Sequence, residues 1–270
     1  MSKLGKILRA PNSRVEEVAL AIADDAYPGL DPTSCLRVLD QQALAIAPQI
    51  AAAADLGAKY RVLRDYLVED LGYSGNHGDY HDPRNSYLNE VVARRTGIPI
   101  ALCVVWMAIA RRLDIPAAGI GFPGRFLVRL GSDDSLTIDA FADGRVMTEV
   151  ALNGLARRLL GGPAPDWALQ ENSLQEIASR MLRNLKNVYQ KRADHANAML
   201  CCDRLIEIQE PPAPEHHRDR GIHAFALKAF QAASRDLARY LRSSPEASDA
   251  KQIEAILEKA KHRARNDAAN

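Results

Sequence analysis

The chain has 270 residues, 47% of them apolar, with Lys plus Arg at 35 and Asp plus Glu at 34. That length allows one large or two ordinary domains with a sizeable core, and that charge balance excludes a general electrostatic case for binding nucleic acid or a membrane surface. The longest apolar run, 98–110, falls short of the roughly 18 residues a bilayer-spanning helix needs.

The basic segment 1–9 is followed by no apolar h-region, so no secretory signal is expected. Four cysteines, Cys35, Cys103, Cys201 and Cys202, include no C-x-x-C pair. A reducing, cytoplasmic setting is the expectation.

Ser13 and Glu16 predict a capping box opening a helix over 13–26, carried by Val15, Val18, Ala19 and Ile22. Pro28-Gly29 ends it. Asp31-Pro32 opens the next, with the cap just before a proline at the first helical position, and Pro48 is expected to break it. A third helix is predicted over 58–70, with Tyr60, Leu63 and Leu67 on one face. Residues 72–84 are Gly-rich and polar and read as a long loop. A helix over 86–95 follows, then a break at Gly97-Ile98-Pro99 and an apolar helix over 100–113.

After Pro116 the pattern changes. Segments 117–121, 126–130 and 136–139 read as short strands, with turns at Gly131-Ser132-Asp133-Asp134 and Asp143-Gly144. A helix over 148–160 closes this part, and Gly161-Gly162-Pro163-Ala164-Pro165 reads as a linker. The domains expected are therefore 1–160 and 166–270, the second helical to about 265 and frayed beyond it.

The tail contains an internal repeat. Tyr189, Ala198 and Leu205 align with Ala224, Ala233 and Tyr240 at an offset of about 35 residues, near the tetratricopeptide period of 34. Small alanines at 198 and 233 would let paired helices approach closely. His216-His217 reads as a solvated helix start.

The stretches Asp82-Pro83-Arg84-Asn85-Ser86-Tyr87-Leu88-Asn89-Glu90, Arg95-Thr96-Gly97-Ile98-Pro99-Ile100, Ala110-Arg111-Arg112-Leu113-Asp114-Ile115-Pro116 and Gly119-Ile120-Gly121-Phe122-Pro123-Gly124 carry a resemblance. They resemble the bacterial Sir-B invasion-regulator-type family, a transglutaminase-like domain fused to tetratricopeptide helices. The resemblance covers essentially the whole chain. It implies an α+β, papain-like cysteine-protease type of domain with a helical N-terminal part, followed by an all-α tail.

The resemblance also implies a triad: Cys at the start of a core helix, His on the next strand and Asp on the one after. The helix N-terminus lowers the thiol pKa, the His takes its proton, and the Asp orients the His. Here the nucleophile slot holds Pro99 and the histidine slot holds Arg125, whose guanidinium stays protonated; Asp139 remains, with Ala140 where the family usually has Pro. Cys103, one helical turn later, reads as a core residue. Neighbouring strands should let Arg125 reach Asp139 in an ion pair where a catalytic pair would stand.

Arg84, Asn85, Ser86 and Asn89 read both as caps of a helix start and as a polar cleft wall near Asp139. His77, Asp79 and His81 have the types to ligate a metal, but a solvated loop is the expectation there, with no metal and no cofactor. The expected function is a non-catalytic scaffold or regulator that binds a protein partner through its tail, with neither nucleic acid nor membrane as partner. The alternative is a cysteine-dependent hydrolase or acyl transferase using Cys103, Asp139 and a loop histidine, His77 or His81.

Overall fold

The first helices form where apolar residues recur at helical spacing, with corrections at their ends. The computed structural model describes residues 1–269 and opens with α1 (Lys3–Arg9) and α2 (Val15–Asp24). The capping box expected at Ser13 and Glu16 lies one residue on. Glu17 accepts the Arg14 backbone N–H at 2.9 Å, while Ser13 donates to the Ala10 carbonyl. Glu16 is thereby turned inward, 0% exposed, and accepts Arg111 at 2.6 Å and Arg112 at 2.8 Å.

Asp31 starts α3 (Pro32–Ala52) as expected, accepting the Thr33 N–H, but Pro48 does not break that helix. A proline costs its helix one hydrogen bond to the carbonyl four residues back. Here that residue is Leu44, 74% exposed, so water can serve the freed carbonyl. α4 (Leu56–Arg64) runs on into a π-helical turn at Asp65–Asp70. Within the long loop, β1 (Ser74–Gly75) pairs in parallel with β2 (Thr96–Gly97), which follows α5 (Leu88–Arg94).

α6 (Pro99–Arg112) is buried on every side from Ile100 to Ala110. A helix apolar all round belongs in a core, and α2, α3 and α5 pack against it. Its remaining surface meets β3 (Ala117–Ile120) and β4 (Leu127–Leu130). With β5 (Leu136–Asp139) and β6 (Arg145–Val146) these make an antiparallel meander in chain order. Asp143 and Gly144, at φ 53° and 71°, turn the chain into β6, which the sequence reading did not anticipate.

α7 (Glu149–Leu160) starts on a Thr148 cap and ends on Gly161 at φ 78°. The chain then returns to the sheet. Ala168 is buried with Ile120, Phe122 and Leu127, and the Asn172 N–H donates to the Gly119 carbonyl at 2.8 Å. Compact packing therefore spans Arg9–Met181 and divides from the rest inside α8 (Leu174–Lys191), not in the Gly-Pro segment 161–165. Apolar residues beyond that segment, Ala168 and Ile177, are buried in the same unit.

The second unit joins Met1–Leu8 to the chain from Leu182 onward. The Ser2 backbone N–H donates to Glu207 at 2.6 Å. The unit consists of the end of α8, α9 (His195–Ile208), α10 (Pro214–Ala226), α11 (Phe230–Ser243) and α12 (Ala250–Ala269). The fraying expected from 265 is not seen as far as Ala269; Asn270 lies outside the described residues.

α10 packs against both α9 and α11. This overturns the solvated reading of His216 and His217, which are 1% and 3% exposed. Their rings meet Gln209 at 3.0 Å and Asp236 at 3.3 Å, and burial holds both below the ordinary histidine pKa. Gly221 permits the close α10–α11 crossing, since a Cβ there would stand 2.8 Å from Leu237.

Ala198 and Ala233 are both 0% exposed, as close helix crossings require. Replacing either with Leu should overpack its site and lower stability by about 1–3 kcal/mol. Urea unfolding followed by circular dichroism reads this, and unchanged midpoints in both variants would refute the repeat alignment.

Candidate functional site

The site is built where the N-terminus of α6 meets the ends of β4 and β5. Asn85 accepts the Ile98 N–H at 3.0 Å on its backbone carbonyl, which sets the entry to α6. Ile98 caps that helix without a side-chain bond, and Pro99 takes its first position. Proline offers no nucleophilic atom there and no N–H to direct at an anion.

Cys103 lies one turn deeper and is 0% exposed. Its thiol donates to the Phe126 carbonyl at 3.3 Å. Burial first, and the Asp139 carboxylate second, push this thiol well above its ordinary pKa. Among the described residues, no histidine nitrogen is bonded to its sulfur. A buried protonated thiol is a poor nucleophile.

Arg125 precedes β4, just after the Gly124 turn at φ 68°. The β4–β5 register pairs Val128 with Ile138, so the position directly across from Asp139 is Leu127 and not Arg125. The guanidinium therefore approaches from the side, with Nε 3.9 Å from Asp139 Oδ2. The other carboxylate oxygen, Oδ1, accepts the Phe141 N–H at 3.1 Å and the Ala142 N–H at 3.2 Å. Asp139 is 1% exposed and is held chiefly by its own chain corner, with Arg125 as a loose counter-ion.

The 84–89 segment serves the long loop. Asp82, not Asn85 or Ser86, caps the short turn Pro83–Asn85, accepting the Arg84 N–H at 2.9 Å and the Arg84 guanidinium at 2.7 Å. Buried Asn85 donates to the Asp79 carbonyl at 2.7 Å and accepts Asn76 Nδ2 at 3.1 Å. α5 itself begins on Tyr87 with no side-chain cap. Ser86 Oγ and Asn89 Oδ1 are buried and find no hydrogen-bond partner among the described residues.

Held in this way, the loop covers the corner after Asp139. The His77 ring lies 4.5 Å from the Phe141 ring, and Tyr80 lies 6.0 Å from it. Gly75 is needed below, because a Cβ there would stand 2.6 Å from Phe141. His81 turns away to the Tyr80 ring at 5.5 Å. Among the described residues, no group of three or more His, Cys, Asp or Glu side chains is placed to hold a metal ion.

One contributor escaped the sequence reading. Arg180, on α8, places its guanidinium 5.3 Å above the Phe126 ring and donates to the Phe122 and Arg125 carbonyls. It stands 55 residues from Arg125 and beyond the expected linker, so no local pattern marks it. The small residues Gly119 and Gly121 are the faint signal, since a Cβ at Gly121 would stand 2.5 Å from Asn172 and 3.3 Å from Arg180.

Comparison with known proteins agrees with this architecture. Residues 33–183 match the family described as the transglutaminase-like superfamily, and residues 185–258 match a tetratricopeptide repeat family. A UPF0162 protein of Xylella fastidiosa is 41% identical, covering 84% of this chain and 83% of its own length. A UPF0162 protein of Pseudomonas aeruginosa is 33% identical, covering 86% of each. F-box only protein 21 of Homo sapiens is 37% identical over 91 residues, which is 30% of this chain and 14% of that protein.

Proposed function

Because the chain belongs to the transglutaminase-like superfamily, with tetratricopeptide helices behind that domain, we propose that it is a non-catalytic scaffold or regulator. It binds a protein partner through its helical tail, as stacked helix pairs do through their extended surfaces. The observation that carries this reading is the state of Cys103: buried, hydrogen-bonded to a carbonyl and held protonated. Pro99 and Arg125 in the nucleophile and base slots support it further. No helix among the described residues is long and apolar enough to cross a membrane.

The cysteine-enzyme alternative draws on one contact, the His77 ring on Phe141, two residues beyond Asp139. Thiol chemistry separates the two readings. Iodoacetamide at pH 7.5 should modify Cys103 in the native chain at least roughly a hundredfold more slowly than a free thiol, since only the thiolate reacts. Arg125→His should remain without turnover on amide and ester substrates, as no nucleophile stands at Pro99. Fast labelling of Cys103, or turnover created by Arg125→His, would replace the scaffold reading with the enzyme reading. A protein recovered equally well by the full chain and by a chain ended at Met181 would sink the tail's role.

A further inference from the structure

The tail helices are joined through imidazole rings that fit their places only when neutral, and we propose that mild acidification releases α10 from α9 and α11 while the transglutaminase-like unit stays folded. This is a proton-operated catch inside the second unit, independent of what the tail binds.

Four of the chain's seven histidines, His195, His216, His217 and His223, gather on α9 and α10. The three on α10 are 1%, 3% and 2% exposed. Each of these three spends one ring nitrogen on a neighbour. His216 Nε2 meets Gln209 Oε1 at 3.0 Å, an oxygen that only accepts, so Nε2 carries the proton. His217 Nδ1 meets Asp236 Oδ1 at 3.3 Å and donates in the same way. His223 Nδ1 faces His195 Nδ1 at 3.1 Å, where one N–H and one lone pair must meet. The other nitrogens, His216 Nδ1, His217 Nε2 and His223 Nε2, are buried with no hydrogen-bond partner among the described residues.

A second proton has no good place in these rings. On His216 and His217 it must go to the buried nitrogen, turning an unmet lone pair into an unmet N–H that shares a full charge. On His223 both nitrogens would become donors, one of them buried without an acceptor.

The surrounding charges are already matched or of the wrong sign. From α8, Lys186 and Arg183 face His216, and Lys186 also faces His223. Asp219, on α10 itself, faces both rings but is paired with Lys186; Glu215 faces His216 alone. From α11, Asp236 faces His217 but is gripped by Arg220 through Nε and Nη2, each at 2.7 Å, and Arg239 adds a cation. From α9, Asp203 is held by the same Arg220 at 2.7 Å. α12 contributes apolar residues, Ile253 and Leu257 near Ile222 and Ala260 near Ala224. Burial, the largest influence on each, holds all three rings of α10 below the ordinary histidine pKa. Lys186 adds to it at His216 and His195 at His223, while Asp236 opposes it at His217.

A ring held below its free pKa takes up a proton more readily once the helices part. Stability that is complete above the free histidine value of about 6.5 is therefore lost as pH falls below it. Each ring that stays neutral while packed favours opening about tenfold between pH 7.5 and pH 5.5. Free carboxylates titrate near pH 4, so this window belongs to the imidazoles. Buried histidine clusters are suited to such switching.

The test is hydrogen exchange of the full chain at pH 7.5 and pH 5.5, resolved by peptide mass spectrometry and corrected for intrinsic exchange rates. The opening constants of α9, α10 and α11 should rise at least tenfold at the lower pH, and that of α6 less than twofold. His216→Gln and His223→Gln should each cut this pH ratio several-fold. The ratio is taken within each variant, so a change in stability alone does not move it. His262→Gln, at an exposed ring on α12, should leave the ratio as in the parent. If neither α10 variant folds, proton NMR of the unaltered chain decides, since the rings of 216, 217 and 223 should titrate below a histidine peptide measured alongside. No rise in α9–α11, an equal rise in α6, an unchanged ratio in both α10 variants, or rings that titrate with the peptide would each overturn the proposal.

Discussion

Arg112→Met is expected to lower the unfolding free energy of the transglutaminase-like unit by about 3–5 kcal/mol, the usual cost of stripping one partner from a buried ion pair. Arg112 donates through Nη1 to Glu16 and to the Ala108 carbonyl, each at 2.8 Å, and through Nε to Asp40 at 2.6 Å. Glu16 is fully buried, and its Oε2 has no hydrogen-bond partner among the described residues. Its charge therefore depends on two guanidinium groups gathered on Oε1. Arg111 would remain, but its side chain is 39% exposed and partly solvated, so it compensates incompletely.

The measurement is urea unfolding followed by the fluorescence of Trp106, which is 1% exposed. Adding Glu16→Leu to Arg112→Met should recover much of the loss, because an apolar pair needs no counter-charge. A loss under about 1 kcal/mol for Arg112→Met, the range of an exposed pair, would mean that Glu16 is not held as described.

Phe126→Ala should cost about 3–5 kcal/mol, as for other buried aromatic residues cut to Ala. The ring packs on the β3 backbone so closely that a Cβ at Gly119 would stand 2.7 Å from it, and the Arg180 guanidinium covers its other approach. Deleting it should do more than lower stability. The Phe126 carbonyl that accepts the Cys103 thiol belongs to the backbone and survives the change, but the space filled by the side chain of that same residue is emptied. Iodoacetamide should then label Cys103 several-fold faster than in the parent chain. Phe126→Leu, which keeps most of the volume, should cost far less and leave labelling slow. If Phe126→Ala labels no faster, the thiol is shielded by α6 and not by this ring.

Much of the architecture is legible in local patterns. Apolar spacing and punctuation by Gly and Pro locate α2, α3, α6 and the strands β3, β4 and β5 to within a few residues. Pro99 and Arg125, the residues expected at the nucleophile and histidine positions, can be read from the sequence because motif positions are counted along the chain, and counting needs no coordinates. The alanines of the repeat are visible for the same reason: an offset of 35 residues between Ala198 and Ala233, near the tetratricopeptide period, is a property of the chain itself.

Other features depend on elements far apart in sequence. Glu16 looked like a cap residue and became a buried anion because Arg111, 95 residues later, arrives beside it. His216 and His217 looked solvated and are buried because α10 lies between two helices. Pro48 is tolerated inside α3 because the carbonyl it frees belongs to an exposed residue. Residues 166–181 looked like the start of the tail and instead complete the sheet unit.

Arg125 and Asp139 divide along the same line. Their identities are plain in the sequence, but their 3.9 Å separation follows from a strand register that puts Leu127 across from Asp139. Periodicity records which face of an element is apolar; it does not record which element will cover that face. The depth at which a charge is buried and the partner it finds are decided only when distant segments close on one another.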